Sequence, residues 1–240
     1  MSNPHTITKD FERALCEYTG APYAVAVNSC TMALLLAVAY ELQKHLPRNK
    51  CGVVPYRSGY SCLGDTIQHH PSIEIPKRTY ISVPKSIIHA GGRPTFRDEE
   101  WLGAYQLKPL PVWDSARWFS SGMYKGEMAE SSASLRMTRD CAGQFVCLSF
   151  HASKTLGDTQ GGAILHDNPE ADAWLRRARF DGRTEGVAPK DDTFNQIGYH
   201  CYLSPDVAAR LLWKLSVLPK HNEPLKNDDY PDLSQMEIFK

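Results

Sequence analysis

The sequence predicts an α/β protein whose sheet is mainly parallel. Helical and strand-like patterns alternate along the chain, an order typical of helices packed on a mostly parallel sheet. At 240 residues with 42% hydrophobic content, the chain is long enough to bury a full core. We expect one large domain over residues 1–218. Residues 219–240 are polar and contain three prolines, so we expect a tail that is loosely packed or bound to a partner.

Composition narrows the class of protein. Basic and acidic residues balance at 27 each, so the chain has no overall bias towards nucleic acid or membranes. No apolar run reaches the roughly 18 residues that span a bilayer, and the N-terminus lacks the apolar stretch of a signal peptide. None of the seven cysteines forms a C-x-x-C pair, which indicates reduced thiols. We therefore expect a cytoplasmic protein.

The first elements are a helix, a strand and a second helix. Residues 11–20 show an amphipathic helical pattern that ends at a glycine, and the apolar run Tyr23–Val27 predicts a strand. The polar turn Asn28–Thr31 then opens the apolar helix Met32–Tyr40. Such a turn can bind an anion, because unpaired N–H groups and the helix dipole face it. The simpler interpretation is that its Ser or Thr only caps the helix.

The middle of the chain is less regular. Residues 47–76 are polar with poor apolar periodicity, so we expect an insertion loop. His69 and His70 in this loop could ligate a metal, but no Cys or Glu pattern accompanies them, and we predict no metal site. Tyr80 follows the turn Pro76–Thr79, where a tyrosine is ordinarily a core residue.

A strand-like run ends at Asp114. An isolated aspartate is most often a helix cap or a surface charge. A functional role for Asp114 therefore depends on which residues lie near it in the fold. Residues 120–143, rich in Ser, Gly and Met, form a linker before the next strand.

The most informative stretch is residues 145–165. It predicts a short apolar strand, Phe145–Phe150, then a polar turn that presents Lys154, then a second strand entered through Gly161 and Gly162. A lysine just past a strand end can form an imine with an aldehyde if it spends time as a neutral amine. Partial burial and a neighbouring cation favour that state. The alternative is one more solvated surface lysine.

This stretch closely resembles the lysine segment of the DegT/StrS family of pyridoxal-phosphate (PLP) sugar aminotransferases. That segment reads roughly S-F-H-x-x-K-x-L-x-x-x-x-G-G, and every fixed position occurs here. The resemblance implies the fold of PLP fold-type-I enzymes, with PLP as the cofactor. It also implies that Lys154 carries the internal aldimine and that Ser149 binds the cofactor phosphate.

Further segments match in order. The family's N-S-G-T turn holds the phosphate, which implies this role for Cys30 and Thr31, although Cys30 replaces the usual glycine. Tyr80 takes the place of the aromatic residue that stacks on the pyridine ring. Asp114 takes the place of the aspartate that pairs with the pyridine nitrogen, and Arg117 replaces a neighbouring Gln or His of the family pattern.

The chain also departs from the family. Only residues 99–113 separate the segments that end at Asp98 and begin at Asp114, so about one αβ unit is missing. The chain ends about 25 residues after the predicted helix around Leu211–Leu215, where family members continue into a small domain that helps to cover the substrate. The resemblance therefore implies a shortened large domain with the small C-terminal domain largely missing.

The resemblance implies a homodimer with shared active sites. In the family, a G-Y-N-Y-R-M-S segment supplies an asparagine across the dimer interface. Here the corresponding segment is Gly198–Ser204, with His200 at the place of that asparagine. His200 is thus a predicted contact to the cofactor of the other subunit, and a core or surface role is the alternative.

For the reaction, the resemblance implies transfer of an amino group from an amino acid to a keto-sugar or similar acceptor. One alternative is decarboxylation of an amino-acid group, on a substrate as bulky as a hypermodified phage DNA base. Nucleic acid is a partner only in that case. A second alternative is an inactive PLP-fold binding protein, and the retention of both Lys154 and Asp114 argues against it.

Overall fold

The computed structural model describes residues 5–44, 70–126, 141–227 and 230–239. Within these ranges the chain forms five α-helices, seven strands and three short 3-10 helices. The helices and strands are α1 Thr6–Thr19, β1 Tyr23–Val27, α2 Cys30–Gln43, β2 Ser72–Pro76, α3 Ser82–His89, β3 Arg93–Arg97, β4 Tyr105–Gln106, β5 Val112–Asp114, β6 Phe145–Ser149, β7 Gly162–His166, α4 Pro169–Ala178 and α5 Pro205–Val217. The 3-10 helices are Pro189–Asp191, Leu233–Gln235 and Glu237–Phe239.

The strands form a five-stranded sheet and a separate parallel pair. The large sheet has the order β1-β7-β6-β5-β4, and β2 pairs with β3. In the large sheet β5 and β6 are parallel, whereas the β1–β7, β6–β7 and β4–β5 pairs are antiparallel. The predicted α/β class is therefore confirmed, but the prediction of a mainly parallel sheet is wrong, since the described sheet is mixed.

The connections explain two of the three antiparallel pairs, β6–β7 and β4–β5. Parallel neighbours need a crossover, usually through a helix. In the described structure no helix lies between β6 and β7 or between β4 and β5. The chain therefore returns beside the strand that it has just left. The lysine-bearing turn is one of these two returns.

Apolar side chains alternate along the central strands and fill both faces of the sheet. On β6, Phe145 and Cys147 face a cluster formed with α2, α3 and α4, while Val146 and Leu148 face a second cluster with α1 and α5. This period of two is that of a strand buried on both faces. Helices therefore cover both sides, and the strand ends that carry the polar residues lie between these layers.

Two predictions about irregular segments need correction. The predicted loop 47–76 includes β2, in which Ile73 and Ile75 are buried against the core. Ser72 and Glu74 alternate with Ile73 and Ile75, which is the period of a strand. Residues 45–69, with His69, lie outside the described residues, and the ring of His70 lies 2.9 Å from the Gly91 carbonyl oxygen.

The tail is packed rather than loose. Leu233 is fully buried, and its N–H donates to the Lys77 carbonyl at 2.9 Å. The Leu225 N–H donates to the Arg117 carbonyl at 2.8 Å. These bonds use the exposed backbone of other segments, which a sequence does not display. The tail thus contacts the chain just before Tyr80 and just after Asp114.

The segment between β3 and β5 is short, as predicted. Residues 98–111 all lie in a described range, and they contain β4 but no helix. The backbone of Lys108 pairs with Glu74, so this segment connects the large sheet to β2. No helix in the described ranges is both long and apolar enough to cross a membrane.

Candidate active site

Lys154 lies in a closed turn between β6 and β7. The Phe150 N–H donates to the Gly161 carbonyl and the Asp158 N–H donates to the Phe150 carbonyl, both at 2.8 Å. The Lys154 N–H donates to the His151 carbonyl, also at 2.8 Å. The lysine is half-buried. Local backbone bonds therefore fix the position from which its side chain extends.

A buried carboxylate holds this turn against α5. The side chain of Asp158 is 3% exposed and accepts hydrogen bonds from Arg210 at 2.9 Å and Lys214 at 2.8 Å. Lys214 also donates to the Gly157 carbonyl at 2.6 Å. Hydrogen bonds from Arg210 lower the pKa of Asp158, burial opposes this effect, and the bond from Lys214 adds to it. The pKa of Asp158 therefore lies well below its usual value. Arg210 and Lys214 are four residues apart and share one face of the helix.

Gly162 brings the lysine turn against the start of α2. A Cβ at this position would lie 2.5 Å from the Ser29 carbonyl carbon and 2.6 Å from the Cys30 nitrogen. Only glycine allows this close backbone approach without displacement. Ser149 is opposite Gly162 in the β6–β7 pair and therefore lies at the same place. The predicted phosphate-binding residues Cys30 and Ser149 are thus neighbours.

The N-terminus of α2 has the features of an anion site. Ser29 caps the helix, since its hydroxyl accepts a hydrogen bond from the Met32 N–H at 3.2 Å. The Thr31 hydroxyl donates to the Ser82 hydroxyl at 2.8 Å, which connects this turn to the start of α3. The first N–H groups of a helix lack intrahelical partners, and the helix dipole favours negative charge there. The Ser29 cap is therefore compatible with the predicted anion site.

Asp114 is buried at the end of β5. Its Oδ1 accepts a hydrogen bond from the Ala116 N–H at 2.9 Å and lies 4.0 Å from the Cys30 sulfur. Its Oδ2 accepts a hydrogen bond from the Tyr105 hydroxyl at 2.8 Å. Burial raises the pKa of Asp114, whereas the two hydrogen bonds and the positive charge of Lys154 oppose the rise.

Cys30 is a neutral thiol in this arrangement. Burial raises its pKa well above the usual value, the negative charge of Asp114 adds to the rise, and the charge of Lys154 opposes it. Lys154 thus acts electrostatically on both Cys30 and Asp114. The structure brings these three predicted site residues together from three separate segments.

Tyr80 presents an exposed aromatic ring beside this group. Its side chain is 58% exposed, so it is not the core tyrosine of the alternative interpretation. The preceding residue, Thr79, is buried, and its hydroxyl lies 2.6 Å from the Tyr105 hydroxyl. Tyr105 in turn contacts Asp114, so a chain of hydrogen bonds leads from the Tyr80 segment to the buried carboxylate.

Arg117 and His200 are placed differently from the rest. Arg117 is buried three residues after Asp114, and its carbonyl accepts the bond from the tail. The His200 side chain is 71% exposed, with Nδ1 2.8 Å from Asp181 Oδ2. The next residue, Cys201, accepts a hydrogen bond from the Asn28 N–H at 2.8 Å, which fixes this segment beside the α2 turn of its own chain.

Sequence reasoning missed several residues of the site. Tyr105 reaches Asp114 through a two-residue strand, which leaves no periodic signal. Asp158 lies in the lysine turn, but its partners Arg210 and Lys214 are far along the chain. Their spacing of four residues was the one available signal. No group of three or more potential metal ligands occurs within the described ranges.

The chain resembles known proteins along most of its length. The model of the DegT/DnrJ/EryC1/StrS aminotransferase family matches residues 3–51 and 129–226, together more than half of the chain. A UDP-4-amino-4,6-dideoxy-N-acetyl-beta-L-altrosamine transaminase of Campylobacter jejuni is 26% identical over 219 residues, covering 84% of this chain and 54% of the relative. The chain spans about half the length of the relatives that it matches.

Solved structures show the same fold. A sugar aminotransferase from Micromonospora echinospora superposes with a TM-score of 0.60 at 18% identity, covering 89% of this chain and 61% of the other. A Helicobacter pylori aminotransferase involved in the biosynthesis of pseudoaminic acid gives a TM-score of 0.58 at 18% identity, covering 89% and 58%. The predicted fold-type-I class is confirmed by these likenesses.

Proposed function

The chain belongs to the DegT/DnrJ/EryC1/StrS aminotransferase family, and from this premise we propose that it is a PLP-dependent aminotransferase. The proposed substrates are an amino acid as donor and a keto-sugar or similar acceptor, and the names of the relatives, which describe sugar transaminases, support an acceptor of this kind. The observation that carries the proposal is the convergence of Lys154, Asp114 and the N-terminus of α2. No one of these features suffices alone, because the fold hosts many activities.

The residues of the site suit the groups of PLP. An amine at Lys154 matches the aldehyde, a buried carboxylate at Asp114 matches the pyridine nitrogen, and a helix N-terminus matches the phosphate. The uncovered ring of Tyr80 suits a planar aromatic partner. When bound, PLP supplies an electron sink that stabilises negative charge at the substrate α-carbon.

Lys154 has two tasks in this proposal. With PLP bound, its Nζ would hold the cofactor, and the amine, once released, would carry a proton from the substrate α-carbon to the cofactor. Both tasks require a fixed origin for the side chain. The closed turn and the bond network from Asp158 to α5 supply it. A shift of about 1 Å in a reacting group can cost about 100-fold in rate.

Asp114 keeps a proton on the pyridine nitrogen. A carboxylate at hydrogen-bond distance favours the charged form of its partner. Burial alone would instead favour a neutral carboxyl group, which could not do this. The N–H of Ala116, the Tyr105 hydroxyl and the charge of Lys154 all oppose that effect of burial.

The proposed phosphate-binding place lies at the start of α2 and the end of β6. We assign phosphate contacts to the Thr31 and Ser149 side chains and to the backbone at Cys30, and the close approach of Gly162, which is opposite Ser149, to Cys30 supports this assignment. Cys30 contributes its backbone, and its neutral thiol packs beside Asp114. Arg117, buried three residues after Asp114, is a further proposed cofactor contact.

The proposed assembly is a homodimer in which His200 of one subunit contacts the cofactor of the other. The exposed His200 ring leaves it accessible to a second copy of the chain. Its own backbone segment is fixed beside the α2 turn, so this part of the surface adjoins the phosphate side of the site. A shared site of this kind predicts that isolated monomers are inactive.

The reaction is tested by the fate of the amino donor. Purified protein with PLP is incubated with each amino acid, and keto-acid formation and carbon dioxide release are measured in parallel. Aminotransfer predicts the keto acid with the carboxyl group retained, and Lys154→Ala as control should give none. Carbon dioxide release without keto acid would replace the proposal with decarboxylation. Neither product from any donor, despite bound PLP, would indicate a binding protein.

A further inference from the structure

Tyr105 makes a direct side-chain hydrogen bond to Asp114. It lies on β4 directly opposite Asp114 in the antiparallel β4–β5 pair, and its hydroxyl is 2.8 Å from Asp114 Oδ2. The Thr79 hydroxyl is 2.6 Å from the same phenolic oxygen. Thr79, Tyr105 and Asp114 are 1%, 3% and 4% exposed, so bulk water does not compete for these bonds.

The direction of this hydrogen-bond chain follows from the donors. An ionised carboxylate only accepts, so the single phenolic proton of Tyr105 is donated to Asp114. The Tyr105 oxygen can then accept the proton of the Thr79 hydroxyl. Burial, with the charge of Asp114, raises the pKa of Tyr105 well above its usual value, so Tyr105 stays a neutral donor. Chains of hydrogen bonds in a dry interior strengthen one another.

We propose that Tyr105 is a positioning residue for Asp114, holding the carboxylate ionised and in a fixed orientation towards the pyridine nitrogen of the cofactor. The inference rests on the proposed function and names a residue on which that function depends. The short strand β4 that carries Tyr105 is part of the abbreviated segment between β3 and β5, so this support belongs to the chain's own architecture.

The chain of hydrogen bonds also connects Asp114 to the segment that carries Tyr80. Thr79 precedes Tyr80, whose exposed ring is the proposed stacking partner. The Trp101 ring packs edge-on against Tyr105 with centroids 4.6 Å apart, which holds the phenol in place. Loss of the hydroxyl alone would leave this packing intact. The Tyr105→Phe variant therefore isolates the hydrogen bond from the aromatic ring.

The test compares Tyr105→Phe with Tyr124→Phe. Tyr124 is also buried, but its hydroxyl contacts the Gln144 carbonyl in the apolar cluster on the other side of the sheet. In cofactor-free protein, ¹³C NMR follows the titration of the Asp114 carboxyl group, assigned with Asp114→Asn. We expect its pKa to rise in Tyr105→Phe and to stay unchanged in Tyr124→Phe, because only the first variant removes a donor to the charged form.

The second measurement is the steady-state kinetics of the enzyme with PLP bound. Tyr105→Phe should retain lysine-bound PLP and lose about 10- to 100-fold in kcat, the size expected for a hydrogen bond to a charged group, with KM for the donor changed less than about threefold. In an Asp114→Asn background the same change should have almost no further effect on kcat. A merely structural role of Tyr105 would not produce this dependence.

The results of these experiments distinguish a failure of the inference about Tyr105 from a failure of the proposed function. An unchanged Asp114 titration in Tyr105→Phe, or an undiminished effect of the variant in the Asp114→Asn background, would overturn the inference. Failure of wild-type protein to bind PLP through a lysine would remove the proposed function, and the cofactor-free titration would still decide whether Tyr105 acts on Asp114. If Tyr105→Phe does not fold, Thr79→Val replaces it in the test. This variant removes the hydroxyl that donates to Tyr105, so the pKa of Asp114 should rise, but by less than in Tyr105→Phe. An unchanged pKa would overturn the inference.

Discussion

The buried carboxylate of Glu12 offers a quantitative test of how the fold supports the site. Its Oε1 accepts a hydrogen bond from the Ala26 N–H on β1 at 2.8 Å. Arg176 contacts Oε2 at 2.7 Å, and the buried Arg179 contacts Oε1. The network thus connects α1 and α4 to the strand that leads into the Asn28–Thr31 turn. Any loosening here should reach the proposed phosphate site.

The change to make is Glu12→Gln, which keeps the shape and removes the charge. Two guanidinium groups then lose their common partner. Removing one member of a buried ion pair costs about 3–5 kcal/mol of unfolding free energy. A protein of this size loses about 2–4 °C in Tm per kcal/mol, so we expect Tm to fall by about 6–20 °C. Glu17→Gln, at an exposed position of the same helix, is the matched control and should change stability by less than about 0.5 kcal/mol.

The stability that Glu12 contributes should also depend on pH in a defined direction. Burial would raise the pKa of Glu12, but the charges of Arg179 and Arg176 outweigh it and hold the pKa below its usual value. Such a carboxylate contributes stability above its unfolded pKa of about 4.3, and the contribution is lost as pH falls through the folded pKa. In denaturant unfolding at a series of pH values, the gap between wild type and Glu12→Gln should be full at pH 7 and narrow below about pH 4. A negligible gap at pH 7, or one that widens in acid, would refute the reasoning.

Three further outcomes are expected. Leu233→Ala should cost about 2–5 kcal/mol by thermal unfolding because this tail residue is fully buried, whereas Ile238→Ala, 66% exposed, should cost little; equal effects would contradict the packed tail. Asp114→Asn should bind PLP but lower kcat by about 10² to 10³, since a neutral partner no longer holds the ring nitrogen protonated, and near-normal turnover would remove Asp114 from the mechanism. Mixing inactive Lys154→Ala and His200→Ala subunits should restore part of the activity if sites are shared, and a monomer by light scattering would exclude this assembly.

Local signals in the sequence predict much of the fold. The strand Tyr23–Val27 has the predicted bounds, and α1 ends at Gly20 in the left-handed conformation with φ of 80°. The strand, turn and strand around Lys154 also lie where the sequence places them. Each of these features rests on neighbouring residues. Apolar spacing, a terminal glycine and a polar turn are all visible within a short window.

Long-range contacts explain what the sequence does not predict. The direction of a sheet pair depends on which strands become neighbours and on how the chain connects them, not on the apolar pattern within either strand. Tyr105 and Asp114 meet because a two-residue strand pairs across a turn. Leu233 is apolar but isolated in a polar tail, so only its contact with the Lys77 segment reveals its burial.

The residues of the candidate site also differ in how well the sequence predicts them. Lys154 and Asp114 were predicted from motifs, and the structure brings both near Cys30. The groups that hold them, Asp158 with its partners on α5 and Tyr105 with Thr79, carry no motif. They are recognised only by burial and hydrogen bonding, because support for a reactive residue can come from any element that packs beside it.

The most direct test of the account is the identity of the lysine that binds PLP. Purified wild-type protein is mixed with PLP, the visible absorption band is recorded, and borohydride then reduces the bond before peptide mass spectrometry. After unbound PLP is removed, we expect a band that disappears on reduction and a phosphopyridoxyl label on Lys154, with neither in Lys154→Arg. A label on another lysine, or a band that persists in Lys154→Arg, would contradict the central claim that Lys154 anchors the cofactor.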